Sequence, residues 1–543
     1  MPPFSDEGIS GSGGVLRDSG ATAPGSLVHR APTYADLIVT ALRRYPDRVA
    51  FIQGETNFTY AAAADWITRL MSVFHHRGLR RGNGVAILSR NRAEAWFAQA
   101  AATLMGCRYT PLHALGSEDD HVFVCADAEV RLLVFDPAGF DERASRIIDR
   151  VTGIDVLGLG PGEVAPDLLL LAAETTPVAL RAVPESDDIC WVPYTGGTTG
   201  RPKGVVLPHR SLMHNAWLTL TEFEWPREIR FIACTPISHG AGPMIIPTLL
   251  RGGTVITIDR FDPEYFVSEV GRTRATASFI VPTMIYVLMD HPSFGPDQLQ
   301  TLETLIYGGS PMAPARMEQA LDAWGPVFNQ LYGQAEAPNT ATILRKYEHD
   351  LARPQLLSSC GRPMQSLEVE VHDPGDQQCP PGEIGEIVIR GPLVMDGYWK
   401  RPEQTAETLR NGWLHTGDLA LCDEEGYLYI VDRAKDMIIT GGFNVYPKEI
   451  EDVLSSHPKV AAAVVIGVPD PKWGEAVKAV VVLRPGAEVG AEELMGLVRE
   501  RKGAVCTPKS VDFVDVIPLT AVGKPDKKVI RAPYWEGQVR GVS

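Results

Sequence analysis

The sequence has 543 residues, which is too long for one ordinary hydrophobic core and predicts two or more domains. Its net charge of -16 argues against nucleic acid as a main partner. The eight cysteines form no C-x-x-C pair, so neither a zinc site nor a disulfide framework is predicted, and reduced thiols in a cytoplasmic protein fit best.

The N-terminal segment differs in composition from the rest of the chain. Residues 1–30 are rich in Gly, Ser and Pro and lack an apolar signal-peptide core, so we expect a disordered leader. No run of eighteen apolar residues occurs anywhere, and so no transmembrane segment is predicted.

Strand and helix patterns alternate from Tyr34 to about Leu180. Gly84–Leu88 is predicted to be a strand, and Ala93–Leu104 a helix with one apolar face. This alternation is typical of an α/β fold with a parallel sheet covered by helices on both faces.

A loop rich in glycine and threonine follows the apolar run 189–192. Glycine lets backbone N–H groups approach an anion closely, threonine hydroxyls add donors, and a lysine can meet a phosphate as a point charge. The loop is therefore a predicted phosphate site, although it lacks the P-loop NTPase pattern because Pro202 precedes the lysine. A flexible surface loop is the alternative, which this residue order disfavours. The candidate residues are Thr195, Gly196, Gly197, Thr198, Thr199, Gly200 and Lys203.

At this loop the sequence resembles the adenylate-forming superfamily, which includes acyl-CoA and aryl-CoA ligases, adenylation domains of peptide synthetases, and luciferases. The similarity is greatest to bacterial fatty-acid and aryl acid–CoA ligases and extends from about Thr33 to the C-terminus. It implies a large N-terminal adenylation domain, residues 31–434, with doubly wound sheets and a small β-rich part. It also implies a small mobile α+β C-terminal domain, residues 435–543. ATP, Mg²⁺, CoA and a small carboxylic acid are the implied ligands, and a monomer or a homodimer is expected.

Four later segments match nucleotide motifs of this family. A strand runs into a glycine turn at residues 305–312, and open parallel sheets bind ligands just beyond such strand ends. By resemblance, Tyr332 stacks on adenine, Glu336 holds Mg²⁺ with Thr199, and Asp418 and Arg433 contact the ribose; a carboxylate suits Mg²⁺. The implied nucleotide contacts beyond the phosphate loop are Gly308, Gly309, Ser310, Tyr332, Gly333, Gln334, Asp418 and Arg433.

The sequence departs from the family pattern at two hydroxyls. Gly196 replaces a serine, and Ala335 replaces a threonine that touches the α-phosphate in relatives. A hydrogen bond to a charged group contributes ~1.5–3 kcal/mol, so each loss affects the rate or the identity of the acid unless another group replaces it.

The acid pocket is assigned by resemblance only. His239 falls where relatives have a histidine at the pocket mouth. The composition of the segment around it, considered alone, favours a structural role for this histidine by two to one. Met312, Gln334 and Pro338 are the candidates for the pocket wall.

The C-terminal part contains three further candidates. Lys524 matches the family's catalytic lysine, which spans the acid carboxylate and ATP, although a lone lysine on a loop is ordinarily just exposed. Lys435 falls at the family's hinge and is counted with Lys524, Glu336 and His239 as a catalytic candidate. Gly442 lies in the glycine turn that lines the thiol tunnel of CoA ligases.

The predicted activity is that of an AMP-forming ligase, which adenylates a fatty or aromatic acid through an acyl-AMP intermediate and transfers the acyl group to CoA. Two alternatives keep the fold: a diazotase that activates nitrite with ATP to diazotise an aromatic amine, and acyl transfer to a carrier protein. A non-catalytic nucleotide-binding protein is the fourth reading. It is disfavoured because Lys524, Glu336, Asp418 and Arg433 are all present.

Overall fold

The computed structural model describes residues 31–195, 201–292, 294–433, 436–520 and 523–536. The predicted leader, residues 1–30, therefore lies outside the described residues. The described residues form fifteen α-helices: α1 Tyr34–Arg44, α2 Tyr60–His76, α3 Ala93–Leu104, α4 Glu118–Asp127, α5 Pro137–Arg150, α6 Leu168–Glu174, α7 His209–Glu222, α8 Gly242–Leu250, α9 Pro263–Thr273, α10 Pro282–Asp290, α11 Pro314–Trp324, α12 Pro402–Thr408, α13 Pro447–Ser455, α14 Ala491–Cys506 and α15 Lys527–Arg531.

The strands of the same described residues are β1 Val49–Gln53, β2 Thr56–Thr59, β3 Gly84–Leu88, β4 Arg108–Leu112, β5 Val130–Phe135, β6 Asp155–Gly158, β7 Ile189–Trp191, β8 Tyr194–Thr195, β9 Lys203–Pro208, β10 Arg230–Ala233, β11 Thr254–Thr257, β12 Ala277–Ile280, β13 Thr304–Gly308, β14 Phe328–Tyr332, β15 Thr342–Leu344, β16 Arg362–Pro363, β17 Glu368–His372, β18 Gly385–Arg390, β19 Gly397–Tyr398, β20 Leu409–Arg410, β21 Trp413–Cys422, β22 Leu428–Arg433, β23 Ile438–Thr440, β24 Phe443–Val445, β25 Val460–Asp470, β26 Gly474–Leu483 and β27 Ser510–Phe513.

Two large sheets have parallel centres. The first has the order β16-β15-β14-β13-β12-β10-β11-β1-β2, and its strands are parallel from β14 to β1. The second has the order β19-β9-β7-β4-β3-β5-β6, with β8 paired to β9, and is parallel from β7 to β6. Helices α1, α2, α3, α7 and α8 pack against one another in the main hydrophobic core. The predicted α/β class with doubly wound sheets is confirmed.

A third, antiparallel sheet has the order β17-β18-β21-β20, and β22 pairs with β21. It corresponds to the predicted β-rich part. The fourth sheet, β24-β23-β26-β25 with β27 beside β26, packs on α13 and α14 around its own apolar cluster. The four sheets belong to one compact unit, Pro32–Ser543. The domain boundary at residue 435 stays a prediction.

Helix α3 is more deeply buried than the spacing of its apolar residues predicts. Its bounds, Ala93–Leu104, are those predicted from the sequence, but every residue except Glu94 is buried rather than one face only. Six of its residues are alanines, and small side chains let a helix pack closely on several neighbours at once; α3 contacts α1, α2, β1, β3 and β4. A helix buried on all sides need not be amphipathic.

Candidate active site

The site begins where two parallel strands of the first sheet end. β13 ends at Gly308 and β14 at Tyr332, and the register pairs Gly308 with Leu331. A Cβ on Gly308 would collide with the carbonyl oxygen of Leu331, and Gly309 has a φ of +80°, so both positions favour glycine. The loops that follow these strands therefore emerge side by side at one edge of the sheet.

A buried carboxylate, Asp418, joins three of the predicted nucleotide residues. The Tyr332 hydroxyl donates to its Oδ2 at 2.7 Å, and the Gln334 amide donates to the same oxygen at 2.6 Å. Arg433 Nε lies 3.2 Å from Oδ1. Asp418 and Arg433 are direct partners across β21 and β22, which explains why residues fifteen positions apart meet.

Burial and the neighbouring Asp418 carboxylate raise the pKa of Tyr332 well above its usual value. The hydroxyl therefore stays protonated and donates to Asp418, which fixes the ring. Gln334 also donates to the Thr416 carbonyl at 2.9 Å, so its side chain lies on the predicted ribose side. Its second predicted role, in the wall of the acid pocket, stays a prediction.

Glu336 lies in a second cluster, which no motif of the sequence predicts. Its Oε1 accepts a 2.8 Å hydrogen bond from the Tyr398 hydroxyl, and Lys203 Nζ lies 4.0 Å from the centre of the Tyr398 ring. Strand β19 pairs Tyr398 with Val205 of β9, the strand that begins at Lys203. The contact with Glu336 spans 62 positions, and so local sequence patterns carry no signal for it.

The residues present at Glu336 fit a magnesium ion that binds together with a nucleotide. Within the described ranges there is no group of three or more His, Cys, Asp or Glu side chains able to hold a metal ion. Mg²⁺ in phosphate sites commonly takes only one or two carboxylates, and substrate phosphates and water supply the remaining oxygens. The other predicted ligand, Thr199, lies outside the described residues, as do Gly196, Gly197, Thr198 and Gly200.

Lys524 lies beside the glycine turn of residues 308–310, the predicted nucleotide turn. A Cβ built on Gly309 would be 3.8 Å from Lys524 Cε. The backbone around the lysine is held by Thr520, whose N–H donates to the Lys524 carbonyl at 2.7 Å and whose Oγ1 accepts from the Lys524 N–H at 3.2 Å. The Thr283 hydroxyl also donates to the Gly523 carbonyl at 3.3 Å. The structure thus brings the predicted catalytic lysine to the predicted nucleotide residues.

His239 packs against a second histidine that the sequence analysis missed. The His113 and His239 ring centres are 4.9 Å apart, and His239 Nδ1 lies 2.8 Å from the Ser238 hydroxyl. Burial, aided by His113, lowers the pKa of His239 to about 3, and burial lowers that of His113 as well. Both imidazoles are therefore neutral near pH 7.

The remaining predicted residues are placed as follows. Met312 is buried in an apolar cluster with Tyr307, and Pro338 is buried, with its carbonyl accepting from Asn215 Nδ2 at 2.6 Å. Gly442 has a φ of +83° in the turn between β23 and β24. The pocket and tunnel roles stay predictions, and Lys435 lies outside the described residues. The residue beside Gly309 in the nucleotide turn, Ser310, is partly buried.

Comparison with known proteins gives consistent matches over nearly the whole chain. The AMP-binding enzyme family matches residues 38–399, and the AMP-binding enzyme C-terminal domain matches residues 449–524. A medium/long-chain-fatty-acid–CoA ligase, FadD8 of Mycobacterium tuberculosis, is 43% identical over 97% of this chain and 94% of its own length. A feruloyl-CoA synthase of Amycolatopsis sp. is 38% identical over 91% of this chain and 98% of its own.

Solved structures give a similar result. The amide bond synthetase McbA from Marinactinospora thermotolerans is 34% identical and superposes with a TM-score of 0.84, covering 92% of this chain and 100% of that one. Among the helices described here, none has the length and apolar character needed to cross a membrane.

Proposed function

We propose that this chain, which belongs to the AMP-binding enzymes, adenylates a fatty or aromatic carboxylic acid with ATP and transfers the acyl group to CoA. The observation that carries the proposal is the position of Lys524 next to Gly309, on the sheet edge where Tyr332, Gln334 and Asp418 are hydrogen bonded together. ATP, Mg²⁺ and CoA are standard for this family. We place its action in the cytoplasm, as a monomer or a homodimer.

Acid activation requires two anions to meet, and the chain's cations offset their repulsion. A carboxylate oxygen attacks the α-phosphorus of ATP, and pyrophosphate leaves. Lys203 and Lys524 would neutralise charge on the phosphates and on the acid, while Asp418 and Arg433 would hold the ribose. Glu336, oriented by Tyr398, would hold Mg²⁺, which supplies further charge neutralisation when bound.

Acyl transfer follows when the CoA sulfur attacks the acyl carbon and AMP leaves. Gly442 would line the path of the thiol. We propose that the segment after residue 435 turns about that position to exchange Lys524 for Gly442, and such conformational steps commonly limit turnover.

The neutral histidine pair favours an uncharged neighbour. His239 and His113 carry no charge near pH 7 because burial favours their neutral forms, which supports an apolar acyl chain or an aromatic ring beside them. The named relatives that use fatty acids and ferulate agree with this range of substrates.

The test is product analysis with the full chain, ATP and Mg²⁺. Medium and long fatty acids, cinnamic-type acids and benzoic acids are each incubated with and without CoA, and AMP and the acyl thioester are measured by mass spectrometry. We expect AMP and acyl-CoA in equal amounts with one of these acid classes. No AMP with any acid would overturn the proposal.

Other acceptors define the remaining outcomes. If AMP forms with an acid but no thioester appears, and an amine or a carrier protein raises the yield of AMP, then that amine or carrier protein is the acceptor in place of CoA. One structural relative is named as an amide bond synthetase. Pyrophosphate release that depends on nitrite and not on an acid would establish the diazotase alternative.

A further inference from the structure

Helix α10 contacts the C-terminal part of the chain at both of its ends. Near its start, the Thr283 hydroxyl donates to the Gly523 carbonyl, next to Lys524. At its last residue, Asp290 Oδ1 accepts from Arg484 Nη1 at 2.9 Å. Arg484 directly follows β26 of the fourth sheet. Because seven residues of helix span about 10 Å, these two contacts hold the docked part at two well-separated points.

The same helix is tied to the nucleotide turn. Asp290 Oδ2 accepts from Arg316 Nη2 at 2.7 Å, and Arg316 is a fully buried residue of α11, which begins soon after Gly309. The Tyr286 hydroxyl accepts from the Ala313 N–H at 2.9 Å, just before α11. One carboxylate therefore joins the helix behind the nucleotide turn to the part of the chain that carries Lys524.

The region beside this ion pair is loosely packed. A cavity of about 260 Å³ is lined there by Asp290, Arg316 and Arg484 together with apolar side chains that include Phe294 and Trp324. Close packing is what usually fixes the relative position of two surfaces, and a void removes those contacts. The Asp290–Arg484 pair therefore contributes more to holding the C-terminal part against this end of α10 than it would in a closely packed interface.

We propose that Arg484 is a positioning residue for acid activation: through Asp290 and Arg316 it holds Lys524 against the nucleotide turn. The pair opens when the C-terminal part turns for acyl transfer, so it favours the first half-reaction alone. This inference rests on the proposed function for its kinetic consequences, but the contact itself is testable without catalysis.

The variant of choice is Arg484→Ala, because Asp290 keeps Arg316 as a partner. Asp290→Ala is a poor choice, since it would leave Arg316 charged and buried without its carboxylate, which destabilises the fold. Arg484→Lys retains the charge, and Arg484→Glu places a second carboxylate against Asp290. The matched control is Arg499→Ala, which removes an exposed arginine of α14.

Two half-reactions are measured separately. We expect Arg484→Ala to slow acid-dependent ATP–pyrophosphate exchange about two- to fivefold, the range of a partly exposed ion pair. Acyl transfer to CoA from a supplied synthetic acyl-adenylate should keep its rate. Arg484→Glu should slow exchange more than alanine does, Arg484→Lys should restore most of the rate, and Arg499→Ala should change neither half-reaction.

A second readout does not require any reaction. Hydrogen–deuterium exchange of the peptide 518–526 should be faster in Arg484→Ala than in the parent chain and in Arg499→Ala. Unchanged deuterium uptake, or an equal loss in both half-reactions, would overturn the inference. Absence of acid-dependent ATP–pyrophosphate exchange in the parent chain would instead overturn the proposed function. In that case the inference about Arg484 would be decided by the deuterium uptake alone.

Discussion

The Tyr398 hydroxyl is expected to position the magnesium ligand, and Tyr398→Phe tests this directly. The substitution removes the 2.8 Å hydrogen bond to Glu336 Oε1 and keeps the ring beneath Lys203 Nζ. A hydrogen bond to a charged group contributes ~1.5–3 kcal/mol, and loss of such a partner of a metal ligand typically weakens metal affinity about 10- to 100-fold. We therefore expect the Mg²⁺ concentration for half-maximal pyrophosphate release to rise about tenfold or more.

The assay varies Mg²⁺ at fixed ATP and acid, and calorimetry of ATP binding at several Mg²⁺ concentrations gives a second, non-catalytic readout. Tyr398→Leu also removes the ring, and so it should additionally weaken ATP binding by the cation–π contribution of Lys203, ~0.5–2 kcal/mol. Tyr347→Phe removes the hydroxyl of an exposed tyrosine and is the control. An unchanged Mg²⁺ dependence in Tyr398→Phe would show that the Tyr398 hydroxyl does not position a magnesium ligand.

Three further predictions concern single side chains. Lys524→Ala should slow ATP–pyrophosphate exchange about 10²- to 10³-fold, because the charge proposed to stabilise the transition state is lost, while transfer from supplied acyl-adenylate persists; loss of both would contradict the proposed role. Asp418→Asn should raise the apparent KM for ATP about tenfold, since the proposed ribose acceptor loses its charge; an unchanged KM would contradict the proposed role. Burial lowers the pKa of His349 from 6.5 to about 4, so its contribution to stability is complete above pH 6.5 and is lost as the pH falls toward 4. In urea unfolding between pH 4 and 6.5, the free energy of unfolding should fall less steeply with decreasing pH in His349→Gln than in the parent chain, by up to about 1.4 kcal/mol per pH unit. An equal slope in the two proteins would contradict this.

The nucleotide residues could be predicted because each lies in a short, specific string. Tyr332 and Gln334 belong to one string and Asp418 to another, and the structure joins all three by hydrogen bonds. Family membership, as an adenylate-forming enzyme, was predicted from the same strings and is confirmed. The individual roles of these residues stay predictions.

Element bounds follow the sequence closely where periodicity is strong and less closely where a turn intervenes. The alternating apolar and polar residues of 382–390 predict a strand over that range. The strand begins only at Gly385, because Gly382 has a φ of +87° and the Glu383 N–H closes a turn onto the Pro380 carbonyl. The sequence likewise predicts a helix over 492–500. The helix in the structure, α14, continues to Cys506, with a non-helical residue at Gly503.

The contacts that sequence reasoning missed are long-range pairs. Tyr398 reaches Glu336 only because a two-residue strand joins the second sheet beside Lys203. Asp290 and Arg484 are 194 positions apart and meet through the docking of the fourth sheet on α10. No local pattern encodes such pairs, since they depend on how separate elements pack. The sequence does not predict which acid is used for the same reason, because the pocket for the acid is built from several loops.

Acid-dependent ATP–pyrophosphate exchange by the full chain, without CoA, tests directly whether this chain adenylates an acid. We expect exchange with a fatty or aromatic acid, none without an acid, and almost none in Lys524→Ala. Exchange that requires nitrite instead of an acid, or that persists in Lys524→Ala, would contradict this expectation.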